Sequence, residues 1–423
     1  MSAGTAGGRL RIIVRDEAKR PTWARIEVRD RVGRMYQPTK GAQIVRDLTA
    51  HNFPGTEPYY TGHVVALGEV TLEVPVADYE VIVERGLEYT RVHRRIAVRE
   101  GSETRVNLSP RRWVNMKERG WWSADFHVHR PIEDILSLIQ AEDLNLAVVF
   151  TMWNKRNLWD GRLPPADPIL RADSVHMATL MNAEDERGGG AWMFHNLKQP
   201  LQLGVQGRWF PPGIVFVEKA RAQNAWFDME KPFWWEVPVM VALAPPDSWG
   251  VVNNHFDQYG VYDSEAWGRP RNRQEFSASA GFVANCLQLY YRYLNLGLKL
   301  PASAGSASGV VPNPVGQNRT YTYLSSNTIF QPHDYYDAVR QGRTFASNGP
   351  MLLFRVNACL PGDTVEVQRG KPDSFDLTAM AREPIARVEL IANGEVVFSK
   401  IPGAVPTRKV RLTGRIDLSR HTW

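Results

Sequence analysis

The run Trp121-Trp122-Ser123-Ala124-Asp125-Phe126-His127-Val128-His129 decides how the middle of this chain is read. Its core is Asp-x-His-x-His. In a strand, residues two apart point to the same face. Asp125, His127 and His129 therefore share one face. Two imidazoles there can bind one transition metal, and a carboxylate beside them can orient a ring or a water. The chain continues with Pro131-Ile132-Glu133-Asp134-Ile135-Leu136-Ser137-Leu138-Ile139. Pro near the first helical position, acids in the first turn and apolar residues at helical spacing predict a helix. Leu146-Ala147-Val148-Val149-Phe150 then reads as a buried strand. Strand, helix, strand, with histidines where the first strand ends, is how open sheets and barrels place their chemistry. The solvated face of a half-exposed strand would show the same spacing. The apolar run after the helix points instead to a parallel sheet buried on both faces.

On the N-terminal side the pattern changes. Leu10–Val14, Ala24–Val28, Val70–Val74 and Tyr79–Val83 alternate with period two, turn clusters separate them, and no helical period appears. Residues 1–110 are therefore expected to form a β-sandwich. The segment Val74 to Tyr89 resembles the prealbumin-like sandwiches attached to many extracytoplasmic enzymes. On the C-terminal side, 351–423 returns to alternation, with Asn393-Gly394 as a hairpin signal between Ala386–Ile391 and Glu395–Phe398. The expected domains are 1–110, 111–350 and 351–423: a central α/β domain flanked by two β-domains.

The 423 residues are 43% hydrophobic and 23% charged, an ordinary globular composition. No apolar run approaches the roughly 20 residues of a membrane-spanning helix. Met1–Gly8 is small and polar, without a hydrophobic signal region. The compartment stays open, since a removed signal is compatible with an extracytoplasmic home. A net charge of +6 is mild for this length, and Arg91, Arg94, Arg95, Arg99, Arg111 and Arg112 fall between strand-like residues. Solvated strand faces are expected there rather than a nucleic-acid surface. Cys286 and Cys359 are too few and too far apart for a thiolate zinc site. Cys286 lies in an apolar stretch and reads as a core residue. Trp121-Trp122 and Trp234-Trp235 read as core, with lining of a pocket for a planar or sugar ligand as the alternative.

Several other residues of the middle segment carry chemistry. Glu184, Asp185 and Glu186 precede a glycine run and can reach a metal from a loop, or form a solvated acidic loop. His195 follows an apolar run and reads equally as a ligand or a core histidine. His255 follows Asn253-Asn254. Arg269, in Trp267-Gly268-Arg269-Pro270, suits an anionic group or an ordinary surface loop. Asn154, Lys155 and Arg319 are weaker candidates of the same kind. His51, His63, His93, His176, His333 and His421 read as structural.

Five stretches together resemble the PHP (polymerase and histidinol phosphatase) superfamily, specifically its CehA/McbA-like metallohydrolases. They are Asp125–His129; Asn182–Gly190 running on to Phe194–Leu197; Val252–His255; Ala304–Gly309; and Gly342–Pro350. The resemblance implies a distorted β/α barrel of TIM type, a cluster of up to three metals, and hydrolysis of phosphoesters or related esters such as aryl carbamates. It implies His127 and His129 as the first ligand pair, Asp125 as their orienter, Glu184 as a bridging carboxylate, and His195 and His255 as later ligands. Imidazoles with a hard carboxylate suit zinc, manganese or iron, and such a metal lowers the pKa of a bound water toward about 7.

The chain also departs from the family. Thr151-Met152-Trp153-Asn154 stands where Thr-Asp-His-Asn is usual, and Gly305-Ser306-Ala307-Ser308 where Gly-Ser-Asp-Ala-His is usual. One or two divalent ions are therefore expected instead of three. The leading expectation is a hydrolase acting on a small-molecule or carbohydrate-derived substrate, with Asp125, Glu184 and Arg269 as its catalytic candidates. The alternatives are a catalytically degenerate protein that binds a carbohydrate or aryl ligand, or an interaction scaffold.

Overall fold

Alternation in the N-terminal segment becomes two sheets over one core. The computed structural model describes residues 7–38, 43–44, 64–203, 207–266, 268–368, 371–403, 405–418 and 422–423. Gly7–Val14 lies between Glu69–Pro75 and Glu103–Leu108. A second sheet runs Gln43–Ile44, Val64–Leu67, Trp23–Asp30, Ala77–Glu84, Val92–Val98. Leu10, Ile12, Val70 and Leu72 from the first pack against Ile26, Val28, Val81 and Val83 from the second. Each contributes every other residue, as the period-two pattern requires.

The middle of the chain forms a mixed sheet that nearly closes into a barrel. Its nine principal strands run in the order Ala302–Ala304, Ser248–Val252, Trp226–Met229, Trp192–His195, Met177–Asp185, Leu146–Trp153, Trp121–Val128, Arg319–Tyr323, Thr344–Ser347. The two edges are drawn together. Thr344 Oγ1 donates to the Ala302 carbonyl at 2.9 Å, and the Ala304 amide donates to Thr320 Oγ1 at 2.8 Å.

A TIM-type alternation of strands and helices is not what forms. Trp121–Val128, Leu146–Trp153 and Met177–Asp185 are parallel, and so are Trp226–Met229, Ser248–Val252 and Ala302–Ala304. Between these trios Trp192–His195 runs antiparallel to both neighbours. The reason is chain length. The link 186–191 is too short for a crossover helix, which needs a dozen or more residues. The described helices are Ile132–Ala141, Gly213–Arg221, Val237–Leu243, Ala278–Asn295 and Pro332–Arg340. The first matches its sequence signals, with Pro131 as the N-cap and Ile135, Leu138 and Ile139 buried. Among the described residues no helix is long and apolar enough to cross a membrane.

Helix Ile132–Ala141 and the turn after it meet the N-terminal sheets through charge. Arg25 bonds Glu142 at 2.7 Å and Glu84 at 2.8 Å. Arg112 bonds Asp143 Oδ2 at 2.6 Å, and Arg85 reaches Asp143 Oδ1 at 3.3 Å. Arg319, wholly buried, donates to the carbonyls of Gly316 and Glu142. It is a structural clasp.

The C-terminal alternation gives Met351–Val356, Asp373–Met380 and Lys409–Ile416 as one sheet, with the hairpin Val388–Ala392/Glu395–Lys400 beside it. Phe375, Leu377, Val388, Leu390, Val410 and Leu412 form their common core. Asn393 and Gly394 have φ of 52° and 85°, the turn geometry that Asn-Gly favours.

Candidate metal centre

The parallel strands bring their C-terminal ends to one mouth. His127 and His129 stand at the end of Trp121–Val128, and Glu184 near the end of Met177–Asp185. His127 Nε2 and His129 Nε2 are 2.9 Å apart. Glu184 Oε2 is 2.9 Å from His129 Nε2 and 3.3 Å from His127 Nε2. All three residues are buried. They are the one group of three potential ligands that converges in this way among the described residues.

Two ring N–H groups cannot face one another at 2.9 Å, so at least one of these nitrogens presents its lone pair, as a metal ligand does. The centre of this triangle is roughly 1.8 Å from each corner, inside the ~2.0–2.2 Å of zinc–nitrogen and zinc–oxygen bonds. These three atoms would hold one such ion. Neither Glu184 oxygen receives a hydrogen bond of good geometry, although both are buried. Buried carboxylate oxygens without donors are costly unless a cation serves them. The donor set, its spacing and its unmet acceptors all fit one divalent metal.

Supporting contacts fix these ligands. Glu230, the first residue after strand Trp226–Met229, accepts from His127 Nδ1 at 2.8 Å. That leaves Nε2 as the ligating nitrogen, the usual carboxylate–histidine–metal arrangement. The Asn254 amide donates to the same Glu230 oxygen at 3.2 Å. Gly250 permits the approach, because a Cβ there would lie 2.2 Å from the Glu230 carbonyl oxygen. Asp125 acts differently from the expected ring orienter. Its oxygens accept from the amides of His127, Ser306 and Gly316 and from the Ser306 hydroxyl. It ties the end of the histidine-bearing strand to the segment holding Ser306 and Gly316, and Glu230 orients the His127 ring. Burial lifts the Asp125 carboxyl to about 6 against those donors.

The electrostatics ask for positive charge at the triangle. Burial disfavours the His127 cation, but Glu230 and Glu184 outweigh it and lift its pKa to about 10. Burial holds His129 below its ordinary value, only partly offset by Glu184. Burial would raise the Glu184 carboxyl, yet His127 holds it well below the usual range. A proton on His127 does in part what a metal would do fully.

His195 and His255 do not join this group. His195 lies on the antiparallel strand, its Nδ1 3.1 Å from the Tyr336 hydroxyl. The Phe150 ring contacts His195, His127 and His129 alike. Burial pushes His195 down to about 3, with the His127 cation adding to the effect. His255 stacks on Phe282 at 5.3 Å, with Nδ1 3.3 Å from the Tyr262 carbonyl. Burial takes it to about 4. Arg269 is exposed, held by its amide to the Phe233 carbonyl. Asn154 bonds both ends of the Glu186 peptide. His93 and His333 are exposed, and His176 bonds Asp173 at 2.7 Å. His51, His63, Trp267 and His421 lie outside the described residues.

Met152, Trp153, Ser306 and Ser308 each have other work. The Trp153 ring packs 4.7 Å from that of His129. Met152 is core, and its sulfur accepts from the Leu201 amide. Ser306 is tied to Asp125. Ser308 accepts from Arg130 Nε at 3.0 Å, and its carbonyl accepts from the His129 amide at 2.8 Å. Gly305 lets this loop pass, since a Cβ there would sit 2.5 Å from that of His127.

Glu230 escaped the reading of the sequence. A Glu-Lys pair directly after an apolar strand is a signal, but a common one. Glu230→Gln should weaken metal binding about 10–100-fold, the usual effect of losing such a partner, with folding retained. Competition with a chromogenic chelator measures it. An unchanged affinity would remove Glu230 from the account.

No protein-family model and no curated protein matches this chain. Among solved structures, it is similar to a two-domain protein from Bacteroides vulgatus containing a predicted PHP-like metal-dependent phosphoesterase. Identity there is 11% and the TM-score 0.35, over 70% of this chain and 85% of that one. A minor pilin of Streptococcus agalactiae is 12% identical at TM-score 0.20, over 26% of this chain and 47% of that one. A streptococcal ancillary pilin is 11% identical at TM-score 0.18, over 30% and 37%. The chain spans less than half the length of either pilin.

Proposed function

We propose that this chain is a metal-dependent hydrolase of phosphoester, carboxyl ester or carbamate bonds, related to the PHP superfamily through the motifs Asp125–His129 and Gly342–Pro350. The observation that carries this reading is the open ligand set: His127 Nε2, His129 Nε2 and Glu184 Oε2 converge without a fourth protein donor among the described residues. Structural zinc sites close with four protein ligands, whereas catalytic ones keep three and leave a position for water or substrate. We take 1–110 and 351–423 as separate β-domains around the catalytic segment.

A bound divalent ion supplies Lewis acidity and brings the pKa of water toward about 7. The protein supplies the rest. Glu230 holds His127 in the tautomer that presents Nε2. Glu184 Oε1 has no hydrogen-bond donor of its own and would be the carboxylate oxygen free to accept a proton. Asp125 and Gly305 hold the end of the histidine-bearing strand against the neighbouring segment, so that the two imidazoles need no rearrangement.

The test is a screen of aryl phosphates, phosphodiesters and aryl carbamates with zinc, manganese or iron. Hydrolysis should vanish on treatment with a chelator and return on adding back one of these ions. Hydrolysis indifferent to chelation would sink the proposal. The second reading is a catalytically degenerate ligand-binding protein. It is favoured by the Trp153 ring against His129, where the family places a ligand. Bound metal with no turnover on any of these substrates would select it.

A further inference from the structure

At the end of the barrel away from the metal centre, a cavity of about 760 Å³ lies between the barrel and the C-terminal sheet. Register fixes its position. Thr344, on its lining, pairs with Thr322, and Thr322 pairs with Trp122 at the start of the strand that leads to the histidines. Two bridges set the walls of the cavity. The Asn295 side chain donates to the Asn393 carbonyl at 3.2 Å, so the hairpin turn rests on the end of helix Ala278–Asn295. Gly362 meets the chain after helix Pro332–Arg340 so closely that a Cβ on it would lie 2.0 Å from the Gln341 carbonyl oxygen. Between these bridges the described residues leave the space open.

The walls are apolar. Tyr290, Leu294, Leu298 and Leu300 line the barrel side, and Phe354, Val356, Phe375, Leu390 and Ile416 face them from the C-terminal side. The Tyr290 hydroxyl is already spent on the Leu300 carbonyl at 2.7 Å. Apolar surface left wet forgoes about 25 cal/mol per Å², which an apolar ligand would recover. The volume falls within the roughly 300–1,000 Å³ of small-molecule sites and is too small for a folded partner. The charged side chains on the lining are Lys299, Arg340 and Asp363. Asp363 lies 3.8 Å from Arg343 and accepts from the Leu360 amide at 3.0 Å. The surplus is therefore positive. Both cations are exposed and belong to the barrel side. Lys299 shortly precedes Ala302, Arg340 shortly precedes Thr344, and Thr344 Oγ1 bonds the Ala302 carbonyl at 2.9 Å.

We infer that this cavity is a second ligand site, for an amphipathic anion: an apolar chain between the two walls, with one carboxylate or phosphate head at Lys299 and Arg340. The site is independent of the metal centre, so metal-stripped protein should bind the ligand equally well.

The chain carries its own reporter. Cys359 lines the cavity and is partly exposed, while Cys286 is buried, so a thiol reagent reads Cys359 in the folded protein. Its labelling is followed with dodecanoate, dodecyl phosphate, dodecanol or dodecylamine, each below its micelle concentration. At least one of the two anions should slow labelling saturably, and which of them does so identifies the head group. The alcohol and the amine should need about tenfold higher concentrations, the scale of two exposed charge contacts. Lys299→Glu combined with Arg340→Glu should weaken the anion about tenfold and strengthen the amine. Should that variant not fold, Lys299→Gln alone should weaken the anion about threefold. No protection by either anion, equal protection by the alcohol, or anion binding unchanged in the charge variants would each overturn the inference. Protection that rises with protein concentration, without any ligand, would overturn it too and assign the cavity to a second copy of this chain.

Discussion

His127→Ala is expected to give a folded chain that holds no metal and turns over no ester. His127 contributes one of three donors, so its loss leaves His129 and Glu184 alone. Two ligands do not hold a divalent ion against a competing chelator, and an open site has no spare donor to recruit. The same change removes the partner of Glu230 and one neighbour of Glu184. Leaving buried acceptors unserved costs about 1–3 kcal/mol. That is a fall of several degrees in melting temperature, not a loss of the fold. The cores of the N-terminal sheets, the C-terminal sheet and most of the barrel lie elsewhere. Metal content, turnover and thermal melting, each against metal-stripped wild type, separate these effects. Full activity in His127→Ala would place the chemistry at another site.

Asp143→Ala is expected to weaken the whole molecule rather than the site. Asp143 anchors Arg112 and Arg85 where the N-terminal sheets meet the barrel, with His176 Nε2 3.5 Å away. Removing one partner of a buried ionic network costs about 3–5 kcal/mol, because the other charges remain. Burial would raise the Asp143 carboxyl, but His176, Arg112 and Arg85 hold it far below the usual range. The sign follows from that direction. A carboxylate depressed in the folded state stabilises fully above its unfolded pKa of about 3.9, and this is lost as pH falls toward the folded value. The stability gap between wild type and Asp143→Ala should therefore be fully developed near pH 5, where His176, held above its ordinary value by Asp143 and Asp173 despite its burial, is protonated in both the folded and unfolded chain. It should narrow progressively below about pH 4. Urea midpoints across that range test it. A gap independent of pH would mean that packing, not charge, is what Asp143 provides.

What the sequence made legible follows the range of each signal. Period two is local, and it placed Gly7–Val14, Trp23–Asp30, Glu69–Pro75 and Ala77–Glu84 correctly to within a few residues. Helix Ile132–Ala141 announced itself through Pro131 and its first-turn acids. The pairing of His127 with His129 is local too. Glu184 needed a strand two places away in the sheet, and only the resemblance to the PHP superfamily suggested it. Glu230 needed a strand 103 residues further on, with no motif to flag it. The TIM-type expectation failed at the link 186–191, whose shortness forces an antiparallel return. His195 and His255 have the residue type of a ligand. Antiparallel placement turns one toward Phe126 and Tyr336, and Phe233, Tyr262 and Phe282 enclose the other. Residue type is visible in a sequence, whereas the direction in which a side chain leaves a folded sheet is not.

The central claim is that one divalent ion sits among His127, His129 and Glu184. An anomalous difference map, from crystals loaded with zinc and measured at its absorption edge, tests it most directly. The account predicts a single strong peak within bonding distance of His127 Nε2, His129 Nε2 and Glu184 Oε2. Absence of a peak at the three ligands, or a stronger one elsewhere on the chain, would contradict it.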